Sequence, residues 1–334
     1  MTENSDSPQS ADACIAQGVT NVPQTAWTKF RSILEMIRFS HTLFALPFAL
    51  LAAAMAWASP IPFSLQGRVD VGFSWWHLVG VLICMLGARS AGMAFNRLVD
   101  RHIDGANPRT ANRHLPAGEL SVAAVTWFTL VSVLVFVVGT AFFLPNWLPV
   151  AFSLPVLGIL MGYSYTKRFT PLAHYWLGVA LMLSPICVWV ALRGQIVIAM
   201  PADLLPALVL GLAVFFWVGG FDVIYACQDY EYDKQVGLRS IPVWLGVAGA
   251  LRWAALSHFA AFLALLMLPS AYGSDSGLGW LYYTAVAAIG ALLVYEHRLV
   301  NPNDLSKVNL AFFNVNAIIS IGLLMVGLVD LYLL

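Results

Sequence analysis

Three side chains in the stretch "NRLVDRHIDGANPRTANRHLPAG", residues 96–118, repeat at four-residue spacing: Asn96, Asp100 and Asp104. On a helix that spacing stacks three oxygen-bearing groups on one face, their Cβ atoms about 5–6 Å apart. Carboxylates so close repel each other unless a cation or water lies between them. A second polar run, "FDVIYACQDYEYDKQVGLRSIPVWLG" at 221–246, sets Asp222, Tyr225, Asp229 and Asp233 at i, i+3, i+7 and i+11, again one helical face. Its last two carboxylates repeat the spacing of Asp100 and Asp104. Magnesium keeps several waters and takes one or two carboxylates plus substrate phosphate oxygens. Two such faces opposed across a cavity would hold more than one ion around a diphosphate. Arg109, Arg113, Lys167, Lys234 and Arg239 lie nearby as donors to the same anion. Arg suits a bidentate grip on phosphate, and Lys acts as a point charge.

The elements that must position these groups are set by composition. The 334 residues are 60% hydrophobic and 10% charged, against roughly 25% charged in a soluble domain. Such a chain cannot cover a water-facing surface, so lipid must solvate most of it. Zero net charge implies no polyanionic partner such as nucleic acid. Nothing in the sequence implies an obligate protein partner. The four cysteines, Cys14, Cys84, Cys187 and Cys227, show no CxxC pairing and read as structural. Residues 1–28 are polar, without the basic start and apolar run of a signal peptide, and read as a disordered tail preceding a membrane domain at 29–334.

Apolar runs near the ~20-residue bilayer length fall at 39–58, 76–98, 121–144, 147–165, 172–192, 204–226, 248–269, 278–297 and 308–333. These predict an all-α bundle of nine transmembrane helices. Trp75, Trp76, Trp147, Trp176 and Trp280 stand near run ends, as an aromatic belt requires. With nine crossings, thirteen of the seventeen Lys and Arg fall on the amino-terminal side. Arg68 and Arg193 fall opposite, and Arg89 and Arg252 fall within helices. That bias places the amino terminus in the cytoplasm. Both acidic clusters follow even-numbered runs, so both face the cytoplasm. Each is followed by basic residues and then by a hydrophobic–Pro step, Leu115–Pro116 and Ile241–Pro242, a weak internal repeat.

Arg97, Arg101, Arg168 and Arg298 read as ordinary positive-inside charges. The acidic residues do not, because acids contribute little to topology and polar groups facing a membrane bundle are functional by default. Arg38, at the cytoplasmic start of the first run, is balanced between an anchor and a contact to a substrate carboxylate or diphosphate, and His41 reads as a polar cap. Arg89 lies mid-helix, seven residues before Asn96 and on its face. It is expected to line a cavity or to pair with an acid, since a charge there is expensive.

On these residues the sequence resembles the UbiA superfamily of intramembrane aromatic prenyltransferases, in particular its 4-hydroxybenzoate polyprenyltransferase-like branch. The family's N-x-x-x-D-x-x-x-D stands as Asn96, Asp100 and Asp104. Its "RTANRxLPxG" continuation runs from Arg109 to Gly118, its D-x-x-x-D is Asp229 and Asp233, and its Y-x-x-x-K is Tyr163 and Lys167. The stretch "IRFSHTLFALPFALLAA", 37–53, looks like its first helix, and the likeness covers 29–334. The resemblance implies a nine-helix bundle around a central cavity. In it Asn96, Asp100, Asp104, Asp229 and Asp233 hold Mg²⁺ and the diphosphate of a polyprenyl donor, and a lateral opening takes the isoprenoid tail. It implies departure of the diphosphate and alkylation of an electron-rich ring. The ring proton would go to the diphosphate or to an Asp such as Asp222, with Tyr163 and Tyr225 set apart from the packing aromatics. A 4-hydroxybenzoate acceptor would mean ubiquinone synthesis, and 1,4-dihydroxy-6-naphthoate would mean the futalosine route to menaquinone. Both are carboxylated rings, so Arg38 does not separate them. The implied setting is a bacterial inner membrane with the site facing the cytoplasm.

Two other chemistries compete. A CDP-alcohol phosphotransferase requires late Asp residues where Val122 and Thr126 stand, and is rejected. A transporter would use the acids as an ion site, but such sites lie near the bilayer midplane, whereas these lie at one face.

Overall fold

A computed structural model describes residues 26–37, 44–67, 69–273 and 277–334. Residues 1–25, and with them most of the expected tail, lie outside the described residues, as do Arg38, His41 and Arg68. The helices are α1 (Ala26–Met36), α2 (Leu46–Ala58), α3 (Trp75–Ala106), α4 (Val122–Thr140), α5 (Leu148–Thr166), α6 (Ala173–Ala199), α7 (Leu205–Ala226), α8 (Tyr230–Val236), α9 (Ile241–Tyr272), α10 (Trp280–Leu299), α11 (Val308–Leu310) and α12 (Asn316–Leu333). Among the described residues no strand occurs, only an isolated bridge between Asn301 and Asp304. Seven helical spans there are long and apolar enough to cross a membrane. The shorter apolar α2 and the 20-residue α10 stand at the first and eighth of the nine expected runs.

Local chemistry sets the helix starts. Ser74, Ser121 and Ser240 cap α3, α4 and α9 by accepting from the backbone N–H three residues on, at 3.4, 3.2 and 3.4 Å. Proline opens the first turn of α2, α5, α7 and α9, where its missing N–H costs nothing. Three helices, α3, α6 and α9, overrun their apolar stretches by several residues. α3 continues to Ala106, so Asn96, Asp100 and Asp104 all lie on helix rather than straddling a helix end. It stops there because Asn107 precedes Pro108 and takes an extended conformation. α9 starts seven residues before its apolar run and kinks at Gly246, whose φ of +69° favours glycine.

α7 is the buried centre, packed between α6 and α9. Small residues allow its backbone to approach its neighbours closely. A Cβ on Gly178 of α6 would stand 2.7 Å from the Phe215 carbonyl oxygen, and one on Gly219 would stand 2.6 Å from the Tyr175 ring. α4 and α5 lie at the periphery, with Trp127, Leu134 and Leu154 exposed where lipid would cover them.

Two expectations are corrected. Arg193 is no loop charge. It sits inside α6 at a kink and is buried, with Nη2 2.7 Å and Nε 2.9 Å from the Asp203 carboxylate and further hydrogen bonds to the carbonyls of Ala56, Ser59 and Pro60. It ties the end of α2 to α6 and to the turn before α7. Trp176 is no belt residue either: its Nε1 donates to the Ile159 carbonyl at 2.8 Å and joins α6 to α5. Trp75, Trp76, Trp147 and Trp280 are exposed at helix ends, as expected. The two hydrophobic–Pro steps also part ways. Ile241–Pro242 begins α9, while Leu115–Pro116 lies in the turns between α3 and α4.

Candidate functional site

The last turns of α3 present Asn96, Asp100 and Asp104 along one face. Asn96 Nδ2 donates to Asp100 Oδ2 at 2.8 Å and lies 3.4 Å from Ser164 Oγ on α5. Beyond Asn107 the chain folds back in successive turns. Thr110 Oγ1 donates to the Asp104 carbonyl at 2.9 Å, and Asn107 Oδ1 accepts from Arg109 N at 2.9 Å. This fold-back aims two arginines in different directions. Arg113 Nη1 returns to Asp104 Oδ1 at 2.6 Å. Arg109 reaches across to the second cluster, with Nε 2.8 Å from Asp229 Oδ1, Nη2 2.5 Å from Asp229 Oδ2, and Nη1 3.0 Å from Tyr225 Oη. Asn107 Nδ2 adds a 3.3 Å bond to Asp229 Oδ1. Burial alone would lower the affinity of the Arg109 guanidinium for its proton. The Asp229 carboxylate and the Tyr225 hydroxyl outweigh that and hold it above its ordinary value.

The second cluster is not one continuous helical face. α7 ends at Ala226, a 3₁₀ turn covers Cys227–Asp229, and α8 carries Asp233 before ending at Gly237, with φ +73°. At the end of this tighter turn Asp229 meets Asn107 and Arg109, just past α3. Tyr232 Oη then donates to the Ile103 carbonyl at 3.0 Å, so α8 is tied to α3 directly. Tyr225 is backed by Phe312, ring centroids 4.4 Å apart, and Phe312 meets Phe44 and Phe221 edge-on. That contact depends on the π-helical turn Ala311–Val315 ahead of α12.

The basic residues divide. Lys167, just past α5, lies within electrostatic range of Asp100, Asp229 and Asp233, and so stands between the clusters. Arg97 and Arg168, expected to be plain topology signals, belong to the site. Arg97 is buried, 3.5 Å from Asp104 Oδ2, and Arg168 Nη2 is 3.5 Å from Asp100 Oδ1. The structure does not bring Lys234 or Arg239 to the acidic oxygens. Lys234 is exposed over the Tyr230 ring, and Arg239 holds the turn after α5 through the Phe169 and Lys167 carbonyls.

Oxygen-rich as the clusters are, no group of three or more His, Cys, Asp or Glu among the described residues converges as a metal cage. Among the described residues Asp233 Oδ2 is nevertheless buried without a hydrogen bond, and Asp104 Oδ2 meets only the Arg97 guanidinium at 3.5 Å. That donor set fits a hard cation that draws its remaining ligands from water and from a phosphate of the substrate.

An apolar cavity of about 380 Å³ opens beside Asn96 and Tyr163 and extends to Phe143 and Leu148. Its α3 wall runs from Val81 to Asn96, about 22 Å at the helical rise. The rest comes from α4 and the turn after it, α5, α6 and Ala45 ahead of α2, with Phe136, Leu160, Leu181 and Cys187 among the lining residues. Arg89 is the one cation among the described lining residues. The expectation that it faces a cavity is met.

Asp222 stands apart from Asp229 and Asp233. Its Oδ2 lies 2.7 Å from Nδ1 of His174, a fully buried residue of α6. Sequence reading missed His174, which lies on a different helix from the acids, and Asn107, which stands three residues after Asp104 but just past the end of α3.

Residues 45–318 match the UbiA prenyltransferase family. The chain is 29% identical over 300 residues to the 4-hydroxybenzoate octaprenyltransferase of Methylococcus capsulatus, covering 88% of this chain and 93% of that one. Among solved structures, the apo UbiA homolog from Aeropyrum pernix K1 is 29% identical with a TM-score of 0.73, covering 86% of this chain and 97% of the other. A UbiA homolog from Archaeoglobus fulgidus, solved with GPP and Mg²⁺, superposes with a TM-score of 0.62 at 18% identity, covering 90% of this chain and 99% of the other.

Proposed function

The chain belongs to the UbiA prenyltransferase family, and from that premise we propose that it transfers a polyprenyl group from its diphosphate to a carboxylated aromatic ring, 4-hydroxybenzoate foremost, on the cytoplasmic side of a bacterial inner membrane. The observation that carries this reading is the reach of Arg109 from the turn after α3 to Asp229 and Tyr225, which joins the second acidic cluster to the first, whose Asn96 lines an apolar cavity. The name of the Methylococcus relative supports the acceptor, and the Archaeoglobus homolog with GPP and Mg²⁺ supports the donor and metal.

Asp100, Asp104, Asp229 and Asp233, with Asn96, would hold the magnesium ions. Bound magnesium supplies Lewis-acid neutralisation of the diphosphate, which makes it a leaving group. Arg109, Arg113 and Lys167 donate to the phosphate oxygens, contacts that strengthen as charge builds on them. The allylic C–O bond breaks with its electron pair going to the diphosphate. The isoprenoid tail lies along the apolar wall, which keeps water from the cation. A ring carbon beside the phenolic hydroxyl supplies the electron pair of the new C–C bond. The ring C–H bond then breaks, its electrons restore the aromatic ring, and Asp222 takes the proton. Arg89, two turns along the wall from Asn96, faces the acceptor carboxylate.

The test incubates membranes carrying the protein with Mg²⁺, geranyl diphosphate, and either 4-hydroxybenzoate or 1,4-dihydroxy-6-naphthoate, and reads prenylated product by mass. Product with 4-hydroxybenzoate is expected. Product only with the naphthoate would move the acceptor to the menaquinone route. No product with either, and no diphosphate released, would overturn the reading.

A further inference from the structure

His174 and Asp222 meet where α6 and α7 approach most closely. The two glycines flanking the pair set that approach. Gly178, one turn after His174, lies against the Phe215 carbonyl, and Gly219, one turn before Asp222, lies against the ring of Tyr175. The close packing that the two glycines allow brings His174 Nδ1 to 2.7 Å from Asp222 Oδ2.

The imidazole is fully buried while the Asp222 side chain keeps some exposure. Nδ1 donates to the carboxylate in the charged ring and in the Nδ1–H tautomer of the neutral one. Among the described residues Asp222 Oδ1 accepts no hydrogen bond, so the histidine occupies one oxygen and leaves the other available. Tyr163, a lining residue of the cavity, lies within electrostatic range of both Asp222 and Asp100.

The second ring nitrogen argues against a purely structural pair. His174 Nε2 is buried without a hydrogen-bond partner, and buried polar atoms in native proteins are nearly always paired. The same ring lies within electrostatic range of Asp233. It is hydrogen-bonded to the carboxylate assigned to proton removal and in range of one assigned to the metal.

We propose that His174 is a positioning residue for Asp222: it pins Oδ2 so that Oδ1 points at the acceptor ring. Resting on the prenyl transfer proposed above, the step is proton removal from the alkylated ring. The C–H bond breaks, its electron pair returns to the ring, and the proton binds Asp222 Oδ1, while His174 is unchanged. An unpinned carboxylate would rotate among several orientations, of which few face the ring.

The experiment compares wild type, His174→Leu, His174→Asn, Asp222→Asn and the His174→Leu/Asp222→Asn double variant, purified in detergent with Mg²⁺, geranyl diphosphate and 4-hydroxybenzoate. Product and released diphosphate are counted separately. An asparagine amide can donate from near the Nδ1 position, and leucine cannot. His174→Leu is expected to lower kcat for product about 10–100-fold, the usual cost of losing an orienting partner. Donor KM should hold, and the ratio of diphosphate released to product formed should rise. His174→Asn is expected to recover most of the product rate. The double variant should match Asp222→Asn alone, because the histidine acts only through the aspartate. Equal damage from Asn and Leu, or parallel loss of product and diphosphate release, would overturn the role, as would an additive double variant. A wild type that prenylates no aromatic acid overturns the reaction itself, a different failure from an active wild type that His174→Leu leaves unchanged.

Discussion

Arg109 grips Asp229 with both ends of its fork, Nε on one carboxylate oxygen at 2.8 Å and Nη2 on the other at 2.5 Å, across 120 residues of sequence. The guanidinium is only partly exposed and the carboxylate almost buried. One side chain thus joins the turn after α3 to the turn after α7, and it holds in place oxygen donors proposed to meet a diphosphate–magnesium complex. A lysine keeps the charge but not the bidentate geometry. Arg109→Lys is expected to lose about 10-fold in product formation, and Arg109→Ala about 10²–10³-fold, the range seen when a donor to developing charge is removed. Steady-state assay of both variants checks this; a lysine variant as active as wild type would show that charge alone suffices.

Asp100 and Asp104 stand one turn apart yet carry different burdens. Asp104 is almost buried between Arg97 and Arg113, while Asp100 is more open and meets Arg168 only at 3.5 Å. Removing one partner of a buried ion pair leaves a stranded charge and costs about 3–5 kcal/mol. Asp104→Ala should lose activity and also unfold at clearly lower temperature in detergent. Asp100→Ala should lose activity with its unfolding temperature nearly kept. Paired thermal scans and product assays separate the two, and similar scans for both would remove the distinction.

The acids were legible in the sequence because four-residue spacing survives as a face of α3, and the apolar runs marked the helices because lipid demands uninterrupted apolar length. What stayed hidden arises from the third dimension. The 3₁₀ turn at Cys227–Asp229 breaks the face that spacing alone predicts, and Asp229 at its end meets Arg109. Arg97 read as a topology signal because a sequence shows sign but not direction; in the fold its side chain turns inward to Asp104. Asn107 continues the spacing of the acids but lies past the end of α3, and His174 carries no periodic signal. One acts through the turn that Pro108 enforces, and the other through a helix contact that two glycines permit.

Gly220 lies two residues before Asp222, and a Cβ there would fall on the ring of His258 in α9. His258 cannot yield easily, being buried with Nε2 3.3 Å from the Trp217 carbonyl and Nδ1 2.9 Å from His297 Nε2. Overpacking of this kind costs about 1–3 kcal/mol. Gly220→Ala should lower thermal stability and, by moving α7 against α9, reduce product formation as well. Normal stability and turnover would mean that α9 shifts freely.

Arg193 tests the opposite end of the bundle. Its five hydrogen bonds are to Asp203 and to three carbonyls in the last turn of α2 and just past it, and none reaches the acidic clusters. Arg193→Ala strands Asp203 and several carbonyls, with an expected cost of about 3–5 kcal/mol. The surviving folded fraction should keep its donor KM. Measuring unfolding temperature and KM on the same preparation checks both, and a raised donor KM would show that the two ends are coupled.

Arg89 gives the acceptor reading its sharpest test. It contributes the one positive charge among the described residues of the cavity wall, seven residues from Asn96 on the same helix. That separation, about 10 Å along the axis, leaves room for an aromatic ring between the diphosphate end and the guanidinium. A hydrogen bond to a charged partner contributes about 1.5–3 kcal/mol, or roughly 10–100-fold in affinity. Arg89→Leu should therefore raise KM for 4-hydroxybenzoate by about that factor while leaving KM for geranyl diphosphate near wild type. Against a phenol lacking the carboxylate, variant and wild type should converge, because the group that Arg89 recognises is absent. If the variant raises KM for the donor and the acceptor alike, Arg89 shapes the wall of the cavity, and the acceptor carboxylate binds elsewhere.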